Sequence, residues 1–298
     1  MLTNEALRVL EIVGSYRQPD QTPVENRAMW ERIGAEVIAP QVPEGTRADA
    51  VDIGGMAAEW VSASDAASER VVLYLHGGAY AVCSPRTHRA LAARLSHASS
   101  ARVLVLDYRR APEHPFPAAA EDAHAGYHWL LNEGFDPAKL AVAGDSAGGG
   151  LMLATLISAR DAGEPMPAAG VGISTWSDIE CSGQTMVTNA PTDPWISREG
   201  LGGSGRVYLN GADPHHPLAS PMYADLRGLP PLFLVVSAHE TLLDDTLRLA
   251  ERARAAGVDV TVEQWPGMIH DWPLFPDLIP EGRQSLDQIG GWLRERLA

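Results

Sequence analysis

The sequence of 298 residues predicts an α/β fold, in which a mostly parallel sheet is covered by helices on both faces and carries a helical cap. From residue 71 onward, short continuous apolar runs alternate with helical stretches, which is typical of buried parallel strands. Residues 1–45 have apolar residues at helical spacing before the first strand. Residues 176–225 interrupt the alternation with many Gly, Pro, Trp and Asp residues, which indicates an insertion.

Two helices are expected in residues 1–45, separate from the elements that follow. Thr22-Pro23-Val24-Glu25 has the pattern of a capping box with proline at the first helical position, so the second helix is predicted to begin there. Pro40 and Pro43 are expected to end it. The pair Gly54-Gly55, flanked by apolar and β-branched residues, then predicts a hairpin.

The alternating elements form the main domain, residues 46–175 and 226–298, and residues 176–225 form an inserted part of the cap. The predicted strands are Val71–Leu75, Val103–Leu106, Leu140–Ala143, Ala169–Ser174, Leu232–Val236 and Val258–Val262. The predicted helices are residues 86–98, 118–132, 147–160, 241–256 and 282–297.

The composition restricts the partners and the compartment. With a net charge of −15, the surface repels phosphate backbones and anionic lipids, so neither nucleic acid nor a membrane is expected as a partner. The N-terminal residues do not have the pattern of a secretory signal, and no apolar run approaches the roughly 18 residues that span a bilayer. Two isolated cysteines, Cys83 and Cys181, are expected to be free thiols. We therefore predict a cytoplasmic protein, monomeric or homodimeric.

The segment Gly144-Asp145-Ser146-Ala147-Gly148 connects a predicted strand to an apolar helix. A sharp strand-to-helix turn pushes the serine hydroxyl outward, and glycines two residues on either side avoid clashes in that turn. Ser146 alone among the serines has glycine at both positions. The pattern predicts a nucleophilic serine.

A nucleophilic serine needs a base, an acid that orients the base, and donors for the oxyanion. His76-Gly77-Gly78-Ala79 follows the strand Val71–Leu75, where a glycine-rich loop can present backbone N–H groups. His270 is the histidine in the loop beyond the last strand, as the chain order serine, acid, histidine requires. The three acidic residues after the strand Leu232–Val236 all remain candidates for the acid: Glu240, Asp244 and Asp245.

Four segments together resemble the bacterial hormone-sensitive-lipase-like esterase family: His76–Ala79, Asp107–Pro117, Gly144–Gly149 and Met268–His270. The resemblance extends from about residue 70 to the C-terminus. It implies the α/β-hydrolase fold with an eight-stranded sheet, a cap built from the N-terminal helices and the insertion, and hydrolysis of carboxylic esters with no cofactor and no metal.

The resemblance also implies the roles of individual residues. Ser146 corresponds to the nucleophile, His270 to the base and Glu240, 30 positions earlier (270 − 240), to the acid. The family usually has Asp-Pro-Leu where this chain has Glu-Thr-Leu, so Asp244 remains the alternative acid. Ala79 replaces the third glycine of the family's loop but keeps its N–H. The oxyanion hole is therefore expected from Gly78, Ala79 and Ala147.

The expected function is a serine carboxylesterase for short- to medium-chain esters. Aromatic residues are candidates for the wall of a substrate pocket: Trp30, Tyr80, Trp176, Trp195, Tyr208 and Trp272. An imidazole near its reference pKa predicts that activity falls below about pH 6.

Three alternatives remain open. A lactone hydrolase uses the same catalytic residues, and a ligand-binding member of the fold has no activity. A metallohydrolase is the third, because His124 and His128 are spaced to lie on one helix face and could bind zinc.

Overall fold

The computed structural model describes residues 1–18 and 21–298. Its sheet has eight strands in the spatial order β1-β2-β4-β3-β5-β6-β7-β8. The strands are β1 (Thr46–Asp52), β2 (Ala57–Ala63), β3 (Ala67–Leu75), β4 (Ala101–Leu106), β5 (Leu140–Asp145), β6 (Ala169–Ile173), β7 (Leu232–Ser237) and β8 (Val260–Trp265). The hairpin β1–β2 and the pair β2–β4 are antiparallel, and all other neighbours are parallel. The predicted mostly parallel sheet is confirmed.

The described helices surround this sheet. They are α1 (Asn4–Gly14), α2 (Pro23–Ile33), α3 (Pro85–Ser99), α4 (Ala118–Asn132), α5 (Ala147–Asp161), α6 (Thr185–Thr188), α7 (Arg198–Leu209), α8 (Leu243–Ala255) and α9 (Pro280–Arg296). None of these helices combines the length and the apolar character needed to cross a bilayer.

The central strands are buried on both faces, and β3 illustrates how one strand serves two cores. Val71, Leu73 and Leu75 belong to the core that contains residues of α4, α5 and α8. Val72 and Tyr74 point the other way, into the core that contains residues of α3 and α9. Because side chains alternate along a strand, a strand covered on both sides has to be apolar at every position. That requirement is the physical reason for the continuous apolar runs in the sequence.

The last strand begins later than predicted, at Val260 rather than Val258. Gly257 has φ 84°, in the left-handed region that favours glycine, and Val258 N–H donates to the carbonyl of Ala253 in α8 at 3.0 Å. Val258 therefore still belongs to the C-terminal cap of α8. The apolar run predicted as one strand includes this cap as well as the start of β8.

The N-terminal segment is helical, as predicted. The capping box at Thr22 is present, with Pro23 as the first residue of α2. A π-helical turn (Gly34–Ile38) and a 3₁₀ turn (Ala39–Gln41) then continue the helix, so the chain leaves helical geometry after Gln41. Pro40 is accommodated near the start of the 3₁₀ turn and does not break the helix before it.

Residues 176–225 contain α6, α7 and a 3₁₀ turn, and no strand lies among them in the part of the chain that the structure describes. Trp195 of this segment and Trp30 of α2 have ring centroids 6.1 Å apart. The insertion and the N-terminal helices therefore meet. Their assignment to one cap remains a prediction.

Candidate active site

Ser146 lies in a tight turn between β5 and α5. Its backbone has φ 51° and ψ −119°, a conformation that L-residues rarely adopt. A Cβ at Gly144 would lie 2.2 Å from the carbonyl oxygen of Gly148, and a Cβ at Gly148 would lie 1.9 Å from that of Leu75. Only glycine fits both positions, so this backbone geometry explains the spacing of the motif.

Three side chains from distant parts of the sequence form one hydrogen-bonded chain. The Nε2 atom of His270 lies 3.0 Å from Oγ of Ser146, and Nδ1 of the same ring lies 3.2 Å from Oε2 of Glu240. The side chains of His270 and Glu240 are buried. Burial raises the pKa of Glu240 above its ordinary value, and hydrogen bonds from His270 and Ser174 act in the opposite direction. The arrangement can pass a proton from a hydroxyl to an imidazole.

A buried carboxylate anchors the glycine-rich loop next to Ser146. Oδ2 of Asp145 accepts a 3.0 Å hydrogen bond from the N–H of Gly77 and lies 3.1 Å from Nε2 of His88. Its other oxygen accepts the Tyr74 hydroxyl at 2.8 Å. Because Asp145 directly precedes Ser146, the loop and the serine turn share one rigid support.

The loop then bends through left-handed backbone conformations. Gly78 has φ 110° and Ala79 has φ 52°. The carbonyl of Gly78 accepts the N–H of Val82 at 2.9 Å, which closes the turn. Gly78 and Ala79 line the cavity above Ser146, and Ala147 is the first residue of α5, where amide N–H groups have no partner within the helix.

A cavity of about 390 Å³ opens onto Ser146, although the serine itself is only 4% exposed. Trp30 from α2, Trp195 from the segment 176–225 and Leu274 form apolar parts of its wall. His270 and Asp271 also face the cavity. The reactive side chains therefore meet a small, partly apolar chamber.

Comparison with known proteins agrees with this geometry. Residues 72–274 match the sequence profile of the α/β-hydrolase fold. The solved structure of an esterase from the bacterial hormone-sensitive lipase family superimposes with a TM-score of 0.96 at 43% identity, covering 100% of both chains. The chain belongs to the bacterial hormone-sensitive lipase family of α/β-hydrolases.

Two further relatives and a second solved structure extend the likeness. An acetyl-hydrolase from Streptomyces hygroscopicus is 47% identical over 253 residues, which cover 85% of this chain and 83% of that protein. The esterase LipU from Mycobacterium tuberculosis is 34% identical over 302 residues and covers 97% of this chain and 99% of its own. The structure of EstE5 soaked with p-nitrophenyl butyrate has a TM-score of 0.92 at 43% identity, covering 99% of both chains.

In this member of the hormone-sensitive lipase family, the alternative acids make other contacts. Oδ2 of Asp244 accepts the N–H of Thr185 at 3.0 Å. Oδ2 of Asp245 accepts the N–H groups of Ser177 and Asp178 at 2.9 and 3.0 Å. Both carboxylates hold the segment 176–225 against α8, whereas Glu240 contacts His270.

The pocket prediction requires correction. Trp30 and Trp195 lie on the cavity wall, but Tyr80, Trp176 and Tyr208 are buried in the core and are not among its lining residues. The rings of Tyr80 and Tyr208 stack with centroids 3.7 Å apart, and Trp176 lies 5.7 Å from Tyr80. Trp272 is also fully buried. An aromatic side chain can bury its apolar surface either in the core or on the wall of a cavity. Residue type alone therefore does not show which of the two positions it occupies.

The histidine pair considered as a zinc site makes a different contact. His124 and His128 lie on α4 at 2.9 and 2.8 Å from the two carboxylate oxygens of Glu164. Within residues 1–18 and 21–298, no group of three or more His, Cys, Asp or Glu side chains is arranged to hold a metal ion.

Several residues around the site were missed by sequence reasoning. Ser174 donates to Glu240, and Asp271 contacts His270. Asp193 accepts the N–H and hydroxyl of Thr241, next to Glu240. Asp271 follows His270 directly in the sequence, so its contact with the imidazole could have been predicted. Ser174 and Asp193 carry no local pattern that separates them from other polar residues.

Proposed function

We propose that this protein is a serine carboxylesterase that hydrolyses short- to medium-chain carboxylic esters through an acyl-enzyme on Ser146. The observation that carries the proposal is the continuous hydrogen-bonded chain from Ser146 through His270 to Glu240 at the floor of the cavity. Membership of a family that contains solved esterases supports the reaction class.

In the first half of the reaction, Oγ of Ser146 attacks the carbonyl carbon while Nε2 of His270 accepts its proton. Glu240 accepts Nδ1–H, which keeps the lone pair of Nε2 directed at the serine. The N–H groups of Gly78, Ala79 and Ala147 stabilise the oxyanion, aided by the positive end of the α5 dipole.

In the second half, the imidazolium of His270 donates its proton to the leaving alcohol oxygen as the tetrahedral intermediate collapses. Water then enters, gives a proton to Nε2 and attacks the acyl carbon on Ser146. Collapse of this second intermediate releases the carboxylic acid and restores the serine hydroxyl.

The size of the chamber supports small substrates. A volume of about 390 Å³ with aromatic walls from Trp30 and Trp195 can hold a short or medium acyl chain. A relative with the name acetyl-hydrolase agrees with a short acyl group.

The two free, buried thiols of Cys83 and Cys181 support the proposed cytoplasmic location, since reducing compartments preserve thiols. Light scattering distinguishes the monomer from the homodimer.

The decisive experiment compares the wild type with Ser146→Ala on p-nitrophenyl esters of increasing acyl length. We expect hydrolysis of the shorter esters by the wild type and a loss of kcat of about 10⁴-fold or more in the variant. Ser68→Ala, at an exposed serine, is the matched control and should keep full activity. An inactive wild type, or an active Ser146→Ala, would refute the proposal. A strong preference for lactones over open-chain esters would replace it with the lactone hydrolase alternative.

A further inference from the structure

The catalytic imidazole has two partners on the same nitrogen. Nε2 of His270 lies 3.0 Å from Oγ of Ser146 and 3.0 Å from Oδ2 of Asp271. On the other side of the ring, Nδ1 lies 3.2 Å from Oε2 of Glu240. A single buried imidazole therefore stands between two carboxylates, one on each nitrogen.

Whether Nε2 carries a proton decides whether its contact with Asp271 is attractive or repulsive. When Nδ1–H is donated to Glu240, the neutral ring has only a lone pair on Nε2. A carboxylate oxygen of Asp271 at 3.0 Å also presents lone pairs, so the contact is attractive only if Nε2 or the carboxylate carries a proton.

We propose that Asp271 is a further catalytic residue, which shares a proton with Nε2 of His270 and so competes with Ser146 for the base. This inference rests on the proposed function, because it assigns a second partner to the base of that reaction.

The backbone holds Asp271 in this position. Its φ of 50° and ψ of 38° lie in the left-handed region, and its N–H donates to Oγ of Ser174 at 3.3 Å. Ser174 in turn donates to Oε2 of Glu240 at 2.9 Å. One serine hydroxyl therefore connects the main chain of Asp271 to the triad acid, and the carboxylate remains directed at the ring.

The surroundings of Asp271 favour a shared proton over a free carboxylate. Its side chain is 12% exposed, and Oδ1 is buried without a hydrogen-bond partner among the residues that the structure describes. A buried, uncompensated anionic oxygen costs free energy, which binding a proton removes. The titratable and charged groups that face it come from three elements, the loop after β7 and its own loop: Tyr74 of β3, Asp145 of β5, His88 of α3, Glu240 and His270.

The electrostatic shifts act in the same direction. Burial raises the pKa of Asp271 to about 7, against the attraction of His270 and with the repulsion of Asp145. Burial by itself lowers the pKa of His270, but Asp271 and Glu240 outweigh it and raise that pKa well above the ordinary value. The pair therefore holds one proton to a higher pH than a free imidazole would.

The shared proton has to leave before the reaction begins. Loss of this proton to solvent leaves a neutral His270 and an ionised Asp271. Nε2 then accepts the Ser146 proton as the Oγ–carbon bond forms, and the resulting imidazolium lies between two carboxylates. Asp271 therefore reduces the fraction of free base at lower pH and stabilises the charged imidazole once it forms.

The test is the pH dependence of kcat/KM for p-nitrophenyl butyrate, measured from about pH 5 to about pH 10. Asp271→Asn removes the charge and Asp271→Gly removes the side chain, and both residue types tolerate positive φ. We expect the acid limb of both variants to move down by one pH unit or more. Relative to each protein's own plateau, activity well below the wild-type limb should then be about ten-fold higher in the variants than in the wild type. Asp287→Asn, at an exposed carboxylate, is the control and should leave the limb unchanged.

An unchanged acid limb in both variants, with an active wild type and an inactive Ser146→Ala, would overturn this inference and leave the proposed function intact. An inactive wild type would instead refute the proposed function. Direct titration of His270 by NMR in the wild-type protein covers the case in which the variants do not fold. A His270 pKa at or below about 6.5 would overturn the inference, and a value well above it would support the inference.

Discussion

The hydroxyl of Ser174 donates a 2.9 Å hydrogen bond to Oε2 of Glu240, the same oxygen that faces Nδ1 of His270. Ser174 follows β6 and Glu240 follows β7, which are neighbouring parallel strands. Because the carboxyl ends of parallel strands meet at one edge of the sheet, two residues 66 positions apart are held together. This contact orients the Glu240 carboxylate toward the imidazole.

The contact predicts that Glu240 and Asp244 differ sharply in their effect on catalysis. Glu240→Gln should lower kcat by about 10²- to 10⁴-fold, because the ring loses the acceptor that sets its tautomer. Asp244→Asn should change kcat by less than about ten-fold. The Asp244 carboxylate accepts the N–H of Thr185 and makes no described contact with His270.

Steady-state kinetics on one p-nitrophenyl ester compare the two variants, and thermal unfolding verifies that each is folded. The reverse ranking, with a large loss in Asp244→Asn and little in Glu240→Gln, would mean that Asp244 is the acid.

The raised pKa of His270 changes the expected pH dependence of the wild type. An imidazole acts as a base only when it is neutral, so activity is lost as the pH falls through its pKa. Because Asp271 and Glu240, against the opposing effect of burial, raise this pKa well above 6.5, the loss should begin at higher pH than the value near 6 expected for an unperturbed ring. A kcat/KM profile with its acid midpoint at or below about pH 6 would contradict this prediction.

Substitution of Trp30 should change the acyl-length specificity, whereas substitution of Trp176 should lower the stability. Trp30→Ala removes part of the cavity wall and enlarges the cavity. The ratio of kcat/KM for the p-nitrophenyl octanoate ester to that for the acetate ester should therefore rise by about ten-fold. Trp176→Ala removes a fully buried ring from the core and should lower the free energy of unfolding by about 3–5 kcal/mol.

Denaturant unfolding and the acyl-length series are measured on both variants. If Trp176→Ala changed the acyl preference and Trp30→Ala left it unchanged, the assignment of the cavity wall would be wrong.

Glycine is required at one helical position and dispensable at another. A Cβ at Gly148 in α5 would lie 1.9 Å from the carbonyl oxygen of Leu75, so Gly148→Ala should cost about 3 kcal/mol or more, or prevent folding. A Cβ at Gly291 in α9 meets no atom of the described residues within 4 Å. Gly291→Ala should therefore raise the free energy of unfolding by about 0.5–1 kcal/mol, as in an exposed helix.

Chemical denaturation of the two variants under one set of conditions measures this difference. Equal effects of the two substitutions would contradict the steric reason given for glycine two residues after Ser146.

Much of the fold was predictable because the relevant physics is local. The apolar runs of the central strands, the capping box at Thr22 and the glycine pair of the hairpin all depend on residues close together in the chain. The glycines that mark the turn at Ser146 also lie within two residues of it, although the carbonyl oxygen that excludes a Cβ at Gly148 belongs to Leu75 of β3. The local pattern was therefore enough to predict the turn, and a distant contact supplies part of its physical reason.

The sequence by itself determined the order of the strands, the order of the helices outside residues 176–225, the turn at Ser146 and the family to which the chain belongs. Only the tertiary structure decided which acidic side chain meets His270, which tryptophans face the cavity, and that Asp271 contacts His270. Those outcomes depend on packing between residues as many as 124 positions apart, where differences of a few ångströms separate a contact from none. Composition and spacing carry no information at that resolution, because the same residue type satisfies a core, a cap or a catalytic contact equally well.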